Sequence, residues 1–115
     1  MSTDGRRLLV AIVKGHRRLE QVLEGFVELE LSGATVLDAR GMGEIVATEI
    51  PVFSGFRALF SGGTEESYVI ISVLTGDQIR EAMALLRDVC GDFAERGTGI
   101  VFTLPIEEFH GPPVE

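Results

Sequence analysis

The sequence predicts an α+β domain: four strands in one antiparallel sheet, in the order βαββαβ, with two helices on one face. Three observations predict it. The 115 residues are the length of one domain. Four short apolar runs are each bounded by glycine, proline or polar residues, as strands are. Between the first and second runs, and again between the third and fourth, the hydrophobic period changes to helical spacing.

Leu8-Leu9-Val10-Ala11-Ile12-Val13 is the first run, stopped by Lys14-Gly15. From His16 to Leu31 the apolar residues Leu19, Val22, Leu23, Phe26 and Leu29 recur at helical spacing, and charged residues fill the other faces. Ser32-Gly33 is the expected stop, since glycine takes left-handed backbone without a Cβ clash. Ala34 to Arg40 reads as the second strand, broken by Gly41-Met42-Gly43. Glu44 to Ser67 reads as a long loop with an unusually apolar content, in which Ser54 to Phe60 has the spacing for about two helical turns. Tyr68 to Leu74 is the third strand, rich in β-branched residues. Thr75 and Gln78 have the spacing of a capping box. Ile79, Ala82, Met83, Leu86, Val89, Cys90 and Phe93 then mark a second helix. Gly97-Thr98-Gly99 opens the last strand, Ile100 to Leu104, and Pro105 stops it. Residues 107–115 form a tail. This split βαβ order is the ferredoxin-like arrangement, in a single domain spanning 1–115.

Composition narrows the function before any motif does. Ten Lys plus Arg against eighteen Asp plus Glu leave a net charge of −8. That argues against a nucleic-acid surface or a polybasic membrane anchor, both of which need clustered cations. One cysteine excludes an internal disulfide and a cysteine-rich zinc site, and it fits a reducing compartment. The polar start, Met1 to Arg7, and the short apolar run after it predict neither a signal peptide nor a spanning helix.

The strands also speak to assembly. Two helices cover one face of a four-stranded sheet, and a solvated second face requires polar alternation. The first strand does not alternate, and the third offers only Ser72. The sheet's open face therefore predicts self-association, with the long loop folded over it as the alternative.

Nucleophile and metal chemistry have little support. Cys90 falls on a helix's apolar face, where an inert buried thiol is expected. His16 and His110 lack a catalytic spacing to Ser or Asp and read as surface histidines. Glu65-Glu66 and Glu107-Glu108 read as solvated charge, and no metal motif is present. Lys14, Arg17 and Arg18 oppose the dipole at a helix start, and would be well placed beside an anion. Gly97-Thr98-Gly99 precedes a strand, so it is not a helix-leading phosphate loop, although glycines let a ligand approach the backbone.

The order of these features resembles the P-II-like signalling proteins over Arg7 to Ile106. Leu31-Ser32-Gly33-Ala34-Thr35-Val36 is similar to the family's Ile-Thr-Gly-Met-Thr-Val, and Gly41-Met42-Gly43 to the Gly-Phe-Gly that opens its T-loop. The stretch 44–67 has about the T-loop's length. Gly97 to Ile106 is similar to the family's B-loop and last strand, Gly-Asp-Gly-Lys-Ile-Phe-Val-Phe-Pro-Ile. The resemblance implies a cytoplasmic, non-enzymatic homotrimer, of the kind active in nitrogen regulation. A small ligand, such as an adenine nucleotide, would sit in clefts between subunits. The T-loop would then control a target protein such as a transporter or metabolic enzyme. Under it, Lys14, Thr35, Gly41, Gly43, Arg96, Gly97, Thr98 and Gly99 are ligand-binding candidates. Phe53, Phe56, Arg57 and Phe60 are partner-binding candidates.

The departures fall on phosphate and metal contacts. Ile100 stands at the B-loop lysine and Thr98 at the aspartate. Glu44-Ile45 follows the glycine pair where the family has glutamine, and the tail has no arginine. The T-loop tyrosine is absent. These losses remove charge-assisted bonds that ATP needs. A less charged nucleotide, another small anion, or no nucleotide are the occupants left open. A structural or metal-tolerance trimer of the same fold is the alternative function. A trimer would carry about −24, which disfavours a highly charged ligand.

Overall fold

The computed structural model describes residues 5–31, 33–52 and 66–112. Its elements are β1 (Arg7–Lys14), α1 (His16–Glu28), β2 (Ala34–Ala39), α2 (Met42–Glu49), β3 (Ser67–Leu74), α3 (Gly76–Cys90) and β4 (Gly99–Pro105). The strands lie in the order β2-β3-β1-β4, and every neighbouring pair is antiparallel. This is the ferredoxin-like sheet expected from the sequence, with a third, short helix added.

Strand side chains alternate between faces, and one set, Leu9, Ala11 and Val13 with Tyr68, Ile70, Ser72 and Leu74, is buried under α1 and α3. The helices meet it with Leu19, Val22 and Phe26, and with Ala82, Leu86 and Cys90. The Ser72 hydroxyl donates to the Gly33 carbonyl at 3.4 Å and the Tyr68 hydroxyl to Glu66, so both polar side chains of this layer have partners. The other set forms the open face. Leu8, Val10 and Ile12 stand opposite Val73, Ile71 and Val69 on one side, and opposite Leu104, Phe102 and Ile100 on the other.

Helix ends differ instructively from the expectation. α3 starts as expected: Thr75 Oγ1 accepts from the Gln78 N–H, and Gln78 Oε1 accepts from the Thr75 N–H at 2.9 Å. It ends at Cys90, because Gly91 takes φ 94°, and Phe93 packs on the core from the turn beyond. α1 stops three residues before Leu31. The left-handed residue is Glu30 at φ 63°, not Gly33. The N–H of Leu31 donates to the Phe26 carbonyl and that of Glu30 to the Val27 carbonyl, which is the Schellman pattern.

The stretch read as loop from Glu44 onward begins inside a helix. Gly41 is extended and caps α2, and Gly43 lies within it. The Ser54–Phe60 turns, and with them Phe53, Phe56, Arg57 and Phe60, lie outside the described residues. The tail is irregular through Pro112, with Phe109 stacked under the Arg6 guanidinium at 4.8 Å.

Candidate functional site: a glycine-lined cleft at the end of the sheet

A cleft of about 330 Å³ opens where β1 ends, β4 begins and β2 turns into α2. Its lining is Ile12, Lys14, Ala39, Arg40, Gly41, Ser67, Val69, Gly97, Gly99 and Ile100. The strand pairing assembles it. Lys14 stands opposite Ser67, Ser67 opposite Ala39, and Ile12 opposite both Val69 and Ile100. The floor is therefore apolar, and two cations and three glycines stand around it.

Each glycine has a local cause. A Cβ at Gly99, where φ is 128°, would collide with the Ile12 carbonyl oxygen, so this position admits no other residue without moving β1 or β4. Gly97 has φ 81° in the turn before it. Gly41 holds the helix cap with open space around its α-carbon. Bare backbone at these points lets an occupant approach main-chain N–H groups closely.

Of the expected ligand residues, Lys14, Gly41, Gly97 and Gly99 come together. Arg96 is exposed in the turn just before Gly97, and Thr98 lies half-buried between the two glycines, its N–H directed to the Glu95 carbonyl. Gly43 is carried into α2. Thr35 pairs with Ile71, four residues up β2 from Ala39, outside the lining. Arg40 and Ser67 were not foreseen. A strand-final arginine before glycine looks like ordinary solvated charge, and the only available signal was its place beside Gly41.

The charges are unevenly partnered. Lys14 forms no ion pair among the described residues. Arg40 is held by two carboxylates: Nε lies 3.3 Å from Glu44 Oε2, and Nη2 pairs with Glu49. These bonds, that to Glu49 foremost, raise the Arg40 pKa further. Behind Arg40 lies a second hollow of about 560 Å³, bordered by Asp38, Glu44, Glu66 and Tyr68. There the Tyr68 hydroxyl donates to Glu66 Oε1 at 2.8 Å, and His16 meets the Tyr68 ring edge-on at 6.0 Å. The other histidine, His110, contacts Glu108 at 2.5 Å. Cys90 is buried, and desolvation raises its thiol pKa against the smaller pull of Arg18. Among the described residues no three His, Cys, Asp or Glu could hold a metal, and no helix is long and apolar enough to cross a membrane.

No family model matches the sequence, and no curated protein matches it. The fold is similar to that of a PII protein from Arabidopsis thaliana, solved bound to citrate. The TM-score is 0.61 and the identity 22%, over 90% of this chain and 78% of that one. The chain thus has a PII-like fold, an α+β architecture that the sheet order shows independently.

Proposed function

We propose that this chain is a non-enzymatic regulatory protein that senses a small ligand in the cleft and passes the cleft's occupancy to a partner protein. The observation that carries the reading is convergence. Lys14, Gly41, Gly97 and Gly99, from separate parts of the chain, border one cleft, and Lys14 there lacks an ion-pair partner among the described residues. A small anion, or an adenine nucleotide with few charges, fits a site with one available lysine over an apolar floor. The open sheet face supports a homotrimer in which a neighbouring subunit completes the cleft. Thr35, on that face, would then approach the ligand from the interface, and Gly43, Arg96 and Thr98 would border it. Phe53, Phe56, Arg57 and Phe60 are the proposed partner contacts, with a transporter or metabolic enzyme as the class of target. The cytoplasm is the proposed location.

Thermal unfolding tests this directly. AMP, ADP, ATP, 2-oxoglutarate and bicarbonate are each titrated into the full chain. At least one raises Tm progressively with its concentration, as mass action requires. Lys14→Gln weakens that ligand about tenfold or more, the scale of one lost bond to a charged group. A Tm that none of the five moves, or one that Lys14→Gln leaves equally responsive, would overturn the reading in favour of a structural trimer.

A further inference from the structure

Arg40 stands between the cleft and α2. It follows the last residue of β2 and precedes the Gly41 cap. It lines the cleft on one side and the acidic hollow on the other. Its guanidinium reaches Glu44 in the first turn of α2 and Glu49 at its last residue. One side chain therefore ties the two ends of an eight-residue helix. Among the described residues little else holds it: Ala47 is the one buried residue of α2. A helix so short is not stable alone, and Gly43, Ile45 and Val46 have modest helix propensity. Both ion pairs are water-accessible, with side-chain exposures of 47% for Arg40, 25% for Glu44 and 51% for Glu49, so a ligand anion can compete for the guanidinium.

We propose that Arg40 reports the charge of the cleft's occupant to α2. This rests on the cleft reading above and specifies its regulation. A small dianion that neutralises Lys14 with one charge takes Arg40 with the other. Arg40 then leaves Glu49, and α2 loosens from its C-terminal end. A monoanion is held by Lys14 alone and leaves the Arg40–Glu49 pair closed. The planar fork of arginine suits it to exchange one carboxylate for another, which the point charge of lysine does less well.

The test compares sodium malonate with sodium acetate at constant ionic strength, followed by amide NMR and hydrogen exchange on the full chain. Both anions shift the amides of Lys14, Gly97 and Gly99. Malonate alone also shifts Glu44 to Glu49 and speeds their exchange several-fold. Glu49→Gln tightens malonate about two- to fivefold, the scale of a released surface pair, and leaves acetate unchanged. Arg40→Gln gives fast α2 exchange without any anion and lowers malonate affinity to that of acetate. Arg40→Lys, which keeps the charge and loses the fork, falls between. Malonate bound through Lys14 with α2 silent would overturn the Arg40 link and leave the cleft reading standing. So would unchanged α2 exchange in Arg40→Gln. Failure of both anions to shift any cleft amide overturns the two together.

Discussion

Glu30 sits at φ 63°, a backbone region that costs a residue with a Cβ about 1–2 kcal/mol. The chain accepts that cost because the turn it makes is well anchored. Leu31 and Phe26, the two ends of the longer Schellman bond, are both buried in the core. Glycine at position 30 keeps the same bonds and removes the clash. Part of the gain is lost to the greater freedom of the unfolded chain. Glu30→Gly is therefore expected to stabilise by about 0.5–1 kcal/mol, raising Tm by a few degrees. Unchanged or lower stability in urea denaturation would show the left-handed turn to be unstrained. The site's residues were legible to different degrees. Lys14, Gly97 and Gly99 were legible through the P-II-like order of the motifs around them, since by type alone a cation at a strand end and glycines before a strand are weak signals. Arg40 was hidden, since its significance lies in Glu44 and Glu49, which reach it only once α2 exists.

Most elements were legible because their periods are unambiguous and their boundaries chemical. Thr75 and Gln78 mark the start of α3 by a bond pattern that depends on local spacing alone. α2 was not legible. Gly41 and Gly43 read as breakers, and the consecutive apolar residues Ile45, Val46 and Ala47 show no helical period. Its order comes from a tertiary contact at Ala47 and the Arg40 pairs. Two acids of the core, Tyr68 in β3 and Cys90 in α3, have raised pKa values. Tyr68 is raised by its bond to Glu66, then by burial, and Cys90 by burial. In both, the folded form holds its proton more tightly than the unfolded chain, whose ordinary values are 10.0 and 9.0. Between the unfolded and folded pKa values the native state binds more protons, so unfolding free energy falls as pH rises. The contribution is complete at pH 7 and declines from about pH 9 upward. The urea midpoint of a Tyr68→Phe, Cys90→Ala double variant is expected to be lower at pH 7 but to change less by pH 10.5. Parallel pH profiles for the two proteins would refute this assignment.

At the scale of the whole molecule, the open sheet face governs what the chain can be. Leu37, Ile100, Phe102 and Leu104 are each 42–49% exposed, and Val10, Ile12, Val69 and Ile71 lie between them on the same face. Four strands about 4.8 Å apart and some six residues deep make an apolar surface of roughly 400 Å². A contiguous patch of that size marks an interaction surface more often than a solvated one. Ile12, Val69 and Ile100 belong both to this face and to the cleft floor. Covering the face with further copies therefore also walls the cleft, so assembly and ligand affinity are expected to be linked. Phe102 separates the two effects, because it lies on the face and outside the cleft lining. Phe102→Asp places a carboxylate where symmetric copies would meet and adds to their shared negative charge. In sedimentation the wild-type chain is expected as a trimer and the variant as a monomer. Loss of its walls should weaken the variant's ligand binding at least tenfold, although no residue of the cleft has changed. A Phe102→Asp protein that keeps the wild-type mass would show that the sheet face is not the interface. A monomer that binds as tightly as the wild type would show that one chain builds the whole site.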